Sequence, residues 1–241
     1  MSEGKGLGFL QLDSPFMRFL SILADLMILN MLTLLLCIPV VTAGASFTAM
    51  HYVLLKIVRG EEGYIGKAFF KAFKENFPKS TVVWIGMVAV YAALFVDWRI
   101  LRMQGEQFGT VYAIVLYAAI VVVYLISLYV FPIMSRYQNT IRGTLKMAFS
   151  MSVLGMFTLR TILNGVIFLI PAALLYFGGW SVIPVLLVFC FSAPGFLRAK
   201  LYNGLFKSYE MSPEEREEII VKEKERQENK KKNKDHKKRF H

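Results

Sequence analysis

Cysteine, histidine and acidic side chains are scarce in this chain of 241 residues, which holds two Cys, three His and 17 Asp plus Glu. Cys37 and Cys190 both sit inside apolar runs with no Cys or His at metal-ligand spacing, so they read as small hydrophobes and not as a disulfide framework or a metal knuckle. No HExxH, CxxC or GxSxG occurs. Gly66-Lys67 imitates the end of a phosphate loop, but Glu61 stands where the first Gly is required and Ala68 replaces the Ser or Thr that would hold magnesium. These absences point away from an enzyme, and neither a cofactor nor a metal is expected.

Apolar residues are abundant: 56% of the chain is hydrophobic and the mean hydropathy is +0.49, more than a soluble domain of this length carries. The formal charge of +11 collects in the connections between apolar runs and in the last residues, as in cytoplasmic loops of membrane proteins, so nucleic acid is not an expected partner. The expectation is an all-α fold: a polytopic membrane helical bundle of about six transmembrane helices with a cytoplasmic interfacial amphipathic helix. The spans are placed at about 19–38, 40–57, 81–96, 110–131, 161–177 and 181–197. A cytoplasmic segment (1–18) precedes the membrane domain (19–210), and a charged cytoplasmic tail (211–241) follows it.

The first span follows Asp13-Ser14-Pro15, a Ser cap with Pro at the first helical position. Ala43-Gly44-Ala45 could imitate a cleavage site, but the hydrophobic sequence continues beyond it, so the segment reads as retained. Pro39 breaks the first helix, and 40–57 returns as a tight hairpin. Thr42 and Ser46, Gly44 and Thr48, and Ala45 and Ala49 are each four apart, the small-residue spacing that lets helix backbones approach closely. Four polar side chains fall inside spans: Asp25, Asn30, His51 and Asn164. Each reads first as an interhelical hydrogen bond and second as part of a solute or proton path. Tyr117 and Tyr124, seven apart, share one face of the fourth span; they suit core packing or a sugar-contacting surface.

Between the second and third spans, Lys67, Lys71 and Lys74 recur on one side of a predicted helix, and Phe69, Phe70, Phe73 and Phe77 on an adjoining face. The pattern fits either a flat interfacial anchor with its lysines toward anionic lipid or a docking surface for a partner. Phe77-Pro78 is expected to end this helix. Lys and Arg cluster in 56–79, 134–160 and 198 onward, while 39–46 and 178–181 have none. Positive-inside topology then puts both termini in the cytoplasm of a cell-membrane protein. A surface segment at 40–57 would instead give five spans and an external N-terminus.

The stretch IPVVTAGASFTAMHYVLLKIVRGEEGYIGKAFFKAFKENF closely resembles the signature of the YesL-like family of bacterial membrane proteins, found mostly in Gram-positive bacteria. The resemblance rests on Pro39, Thr42, Gly44 and Ser46, on the Arg59-Gly60-Glu61-Glu62-Gly63 turn, and on Phe70, Ala72-Phe73 and Asn76-Phe77. It implies an accessory role in carbohydrate uptake, with membrane lipid and the permease subunits of a sugar ABC importer as partners, and it implies no catalytic residue. Two alternatives stand beside it. One is a self-sufficient small-solute transporter using Asp25, His51 and Arg160; the other is a membrane assembly or regulatory protein using the basic tail.

Overall fold

A computed structural model describes residues 15–61, 63–155 and 159–210, and among them there is no strand. The chain divides into two compact units, Met1–Leu201 and Tyr202–His241; of the second, only the last turns of the final helix, to Glu210, are described. Among the described residues, five helical stretches are long and apolar enough to cross a membrane: Phe16–Cys37, Val40–Arg59, Ile65–Met103, Thr110–Arg136 and Leu159–Phe189. The protein is therefore all-α and of membrane type. The expected cap at Asp13-Ser14 and the charged tail from 211 lie outside the described residues.

Helix α1 runs Pro15–Cys37 and begins on proline, whose missing N–H costs nothing in a first turn. After Pro39 the chain makes a 3-10 turn over Val40–Thr42. The Thr42 hydroxyl contacts Leu36 O and, at 2.8 Å, Pro39 O, so Thr42 covers carbonyls at the end of α1. It stands in the turn and not on the small-residue face expected for it. Helix α2, Ala43–Arg59, ends where Gly60 takes a left-handed φ of 71°. There Gly60 N donates to Ile57 O and Glu61 N to Lys56 O, both at 3.1 Å. Arg59 Nε lies 2.8 Å from Glu61 Oε1 and closes the turn.

Helix α3 is helical without interruption from Ile65 to Arg136, 72 residues including Pro78 and Pro132. The expected end at Phe77-Pro78 is therefore incorrect. Tertiary bonds carry the helix past Pro78: Ser80 Oγ lies 2.9 Å from Thr48 Oγ1, and Trp84 Nε1 donates to Val40 O at 2.8 Å. The interruption expected between 97 and 109 is also helical in backbone, yet the chain reverses direction. Tyr91 OH lies 2.7 Å from Ser127 Oγ, whereas 36 residues of straight helix would separate them by about 54 Å. Lys79 Nζ donates to Asn139 O at 3.3 Å, in the connection just after the returning arm. So α3 consists of a rising arm, Ile65–Met103, and a returning arm, Thr110–Arg136.

Helix α4, Ile141–Gly155, packs on the returning arm through Ser152 Oγ, which donates to Leu125 O at 3.0 Å. Helix α5, Leu159–Gly178, is followed by a 3-10 turn, Gly179–Val182, with Gly179 at φ +55°, and by α6, Ile183–Phe189. Helix α7, Ser192–Glu210, is tied to α5 where Arg198 Nε donates to Asn164 Oδ1 at 2.7 Å. The continuous span expected over 181–197 is broken at Cys190–Phe191. Pro194 supplies no N–H to the carbonyl four residues earlier, and its ring crowds that carbonyl.

Candidate functional site

The seam between α2 and the rising arm sets the geometry of the site. Ala43, Gly44, Ala45, Ser46, Thr48 and Ala49 are all buried. A Cβ on Gly44 would stand 2.5 Å from Trp84 Cβ and 2.6 Å from Ser80 O, so the two backbones meet where only glycine fits. Ser46 Oγ donates to Thr33 O at 3.0 Å, which ties α2 to α1, and Thr48 Oγ1 donates to Gly44 O at 2.9 Å within α2, so both hydroxyls are satisfied inside the protein.

Residues of α2, both arms of α3, α5 and α7 line a cavity of about 1230 Å³. One wall is aromatic, with Trp84, Tyr91 and Trp98 from the rising arm and Tyr117 and Tyr124 from the returning arm. His51 of α2 and Arg198 of α7 also line it, 3% and 6% exposed. Tyr124 OH donates to Gly165 O at 2.8 Å, holding α5 against the returning arm.

Arg198 is the unexpected member. Its Nη2 donates to Leu128 O at 3.0 Å, and Leu128 is the residue four before Pro132. Pro132 has no N–H to give that carbonyl, so the guanidinium supplies the donor the helix lacks. Nε meanwhile holds Asn164 Oδ1, and the guanidinium carbon lies 5.0 Å from the Phe168 ring centroid. One side chain thus links α7, α5 and the returning arm. From sequence it belonged to the basic group after the last span; the available signal was Pro132, which promises an orphan carbonyl inside a span.

Asn30 plays the same part on the other side of the bundle. Its Nδ2 donates to Leu187 O at 2.7 Å, and its Oδ1 accepts from Phe191 N at 2.9 Å and Ser192 N at 3.2 Å. A fully buried amide therefore replaces the backbone bonds lost where α6 and α7 part. Asp25 is half-buried on α1 and Arg160 is exposed on α5; neither lines the cavity, so the three residues of the transporter reading are not brought together.

The four Phe rings do not form one outward face. Phe69 is 0% exposed and unavailable for docking, Phe73 and Phe77 are half-buried, and Phe70 alone is exposed. The rings contact one another in sequence, at centroid distances of 5.8 Å for Phe69–Phe70, 6.4 Å for Phe69–Phe73 and 5.5 Å for Phe73–Phe77. Lys67, Lys71 and Lys74 are exposed. Among the described residues no group of three or more His, Cys, Asp or Glu could hold a metal ion.

Residues 26–98 match the family model described as "Protein of unknown function, DUF624". No curated protein and no solved structure matches the chain. The matched stretch contains the α2 seam, Asn30, and the cavity wall from Phe47 to Trp98. The second wall and Arg198 come from outside it.

Proposed function

We propose that the protein is a YesL-like, non-enzymatic accessory component of a carbohydrate ABC importer in the cell membrane, packing laterally against permease subunits. The residues of the YesL-like signature, Pro39 to Phe77, all lie within the stretch matched by the DUF624 family model. The observation that carries lateral packing is the outer surface. None of the most apolar window of Leu159–Phe189 is buried, and only 11% of that in Ile65–Met103. These helices offer long apolar faces to neighbouring helices or lipid, while the small-residue face of α2 is already filled by Trp84 and Ser80. Partner contact on this reading falls to the outer arms and to Phe70.

Purification from the native membrane in a mild detergent, followed by identification of stoichiometric partners, tests the proposal. Permease subunits of a sugar importer are expected, with sugar-dependent growth impaired when the protein is deleted. A second reading, a small-solute transporter, draws on the cavity and its buried His51 and Arg198. Solute flux by the protein alone in vesicles, with no permease recovered, would favour it over the accessory role.

A further inference from the structure

The turn between α1 and α2 stops well short of the membrane surface at which α3 reverses. Trp84 Nε1 donates to Val40 O, so this turn is level with Trp84. Exposed Arg99 lies 15 residues farther along the rising arm, about 22 Å, and exposed Arg102 follows it. Such charges belong at a membrane surface. A helix tilt of about 40° still leaves about 17 Å, more than the hydrocarbon of one leaflet, about 15 Å. Neither α1 nor α2 therefore enters the leaflet on the Arg99 side, where the two arms of α3 and α5 stand without them. The cavity runs between these three, lined by Tyr91 and Trp98 on one arm, Tyr117 and Tyr124 on the other, and Phe168 and Ala172 on α5. Helix α2 meets it at the Trp84 end, where the Phe47 ring centroid is 6.0 Å from those of Trp84 and Phe131.

Polar groups along the wall are spent on protein. Tyr91 OH pairs with Ser127 Oγ, Tyr124 OH donates to Gly165 O, and Arg198, at mid-height, donates to Asn164 Oδ1 and Leu128 O. The surface left facing the cavity is almost wholly carbon. A sugar or an ion would give up its hydration there for little in return, whereas a hydrocarbon chain exchanges one apolar setting for another. From Trp84 to Trp98 the wall is 14 residues, about 21 Å, long, enough for a leaflet's extended chains, and the volume exceeds the roughly 300–1,000 Å³ of a drug-sized pocket. It ends in an aromatic and basic rim of the kind that meets lipid head groups: the Arg102 guanidinium carbon lies 5.2 Å from the Trp98 ring centroid. We propose that the cavity is a built site for the acyl chains of a phospholipid from the leaflet on the Trp98 side, which occupies beside α3 and α5 the room that α1 and α2 do not reach.

The chain carries three Trp, so Trp98→Phe with Trp180→Phe leaves Trp84, at the inner end of the wall, as the sole reporter. The full chain with these changes is reconstituted in phosphatidylcholine vesicles with or without bromine on the acyl chains, and tryptophan quenching is read. Bromine near the chain ends should quench Trp84 more strongly than bromine near the glycerol. Ala92→Phe on the rising arm and Ala172→Phe on α5 each put a ring into the cavity and should remove most of that quenching; either serves if the other does not fold. Ala89→Phe, on an exposed part of the rising arm outside the cavity lining, should leave it unchanged. An unquenched Trp84 overturns the proposal and leaves the cavity to protein or water. Quenching that survives Ala92→Phe and Ala172→Phe, or that Ala89→Phe lowers as much as they do, also overturns it and assigns the effect to bulk lipid on the outer face. Quenching of Trp84 by aqueous iodide that Ala92→Phe relieves overturns it in favour of a solute path.

Discussion

Helix α2 and the α5–α6 stretch are both apolar and of membrane length, and they are used in opposite ways. Val40–Arg59 has a mean hydropathy of 1.3 and 61% of its most apolar window is buried; Leu159–Phe189 reaches 2.1 and none of its window is buried. The less hydrophobic segment is the one inside. In water the order would be reversed, because burial there follows apolar area. In lipid, hydrocarbon surrounds a helix whether or not it touches protein, so burial follows close approach and hydrogen bonding. Gly44, Ser46 and Thr48 provide both on α2, while the outward leucines and aromatics of the α5–α6 stretch provide neither.

The contrast is tested most severely by Gly44→Leu. With Trp84 Cβ and Ser80 O already within 2.6 Å of a Cβ there, overpacking should cost more than about 3 kcal/mol and remove most folded protein from the membrane. Size-exclusion profiles of detergent extracts measure this; a normal profile would show that α2 does not meet α3 at Gly44. Asn30→Leu comes next. It deprives Leu187 O, Phe191 N and Ser192 N of their partner, and three interhelical bonds at about 0.6 kcal/mol each sum to about 2 kcal/mol. Thermal unfolding in detergent should shift downward, and Asn30→Asp, which keeps the acceptor, should shift less.

A smaller effect separates the charge of Arg198 from its donor role. If Arg198 substitutes for the N–H that Pro132 lacks, Pro132→Ala should make Arg198→Met less damaging. The double-mutant cycle should then show a coupling of about 1 kcal/mol. Additive changes would mean that the hydrogen bond to Leu128 O contributes nothing to folding. At the other extreme, Leu175→Ala on the exposed face of α5 should alter stability by less than about 0.5 kcal/mol. The same substitution should reduce recovery of permease subunits if that face carries the partner. A loss of stability comparable to Asn30→Leu would mean that this face of α5 is packed after all.

Much of the architecture was legible in one dimension because a membrane imposes simple rules. Runs of apolar residues become helices, as each backbone group must be satisfied within its own segment. Pro39 and Gly60 close α1 and α2 for local steric reasons that need no neighbour. The small-residue face of α2 was visible as spacing, and Asn30 and Asn164 could be singled out because an amide in hydrocarbon needs a partner. Element ends that depend on distant contacts were not visible. Pro78 reads as a stop, yet Ser80 and Trp84 are tied to Thr48 and Val40 and the helix continues. The reversal of α3 is marked in sequence by the polar residues between 97 and 109; that the backbone stays helical there is not.

The candidate site shows the same division. Sequence alone determined that the protein is a helical membrane chain, that α2 is its close-packing element, and that its buried polar groups would need partners, since all three follow from the solvent properties of hydrocarbon. Only the tertiary structure decided which groups those partners are. It set Arg198 beneath Pro132, placed Asn30 at the break before Pro194, withdrew Phe69 from the surface, and joined two arms of one helix into an aromatic wall. The physical reason is range. Hydropathy and proline act over a turn or two of one helix, whereas a buried cation is explained by a carbonyl 70 residues away, which only the folded chain brings within 3.0 Å.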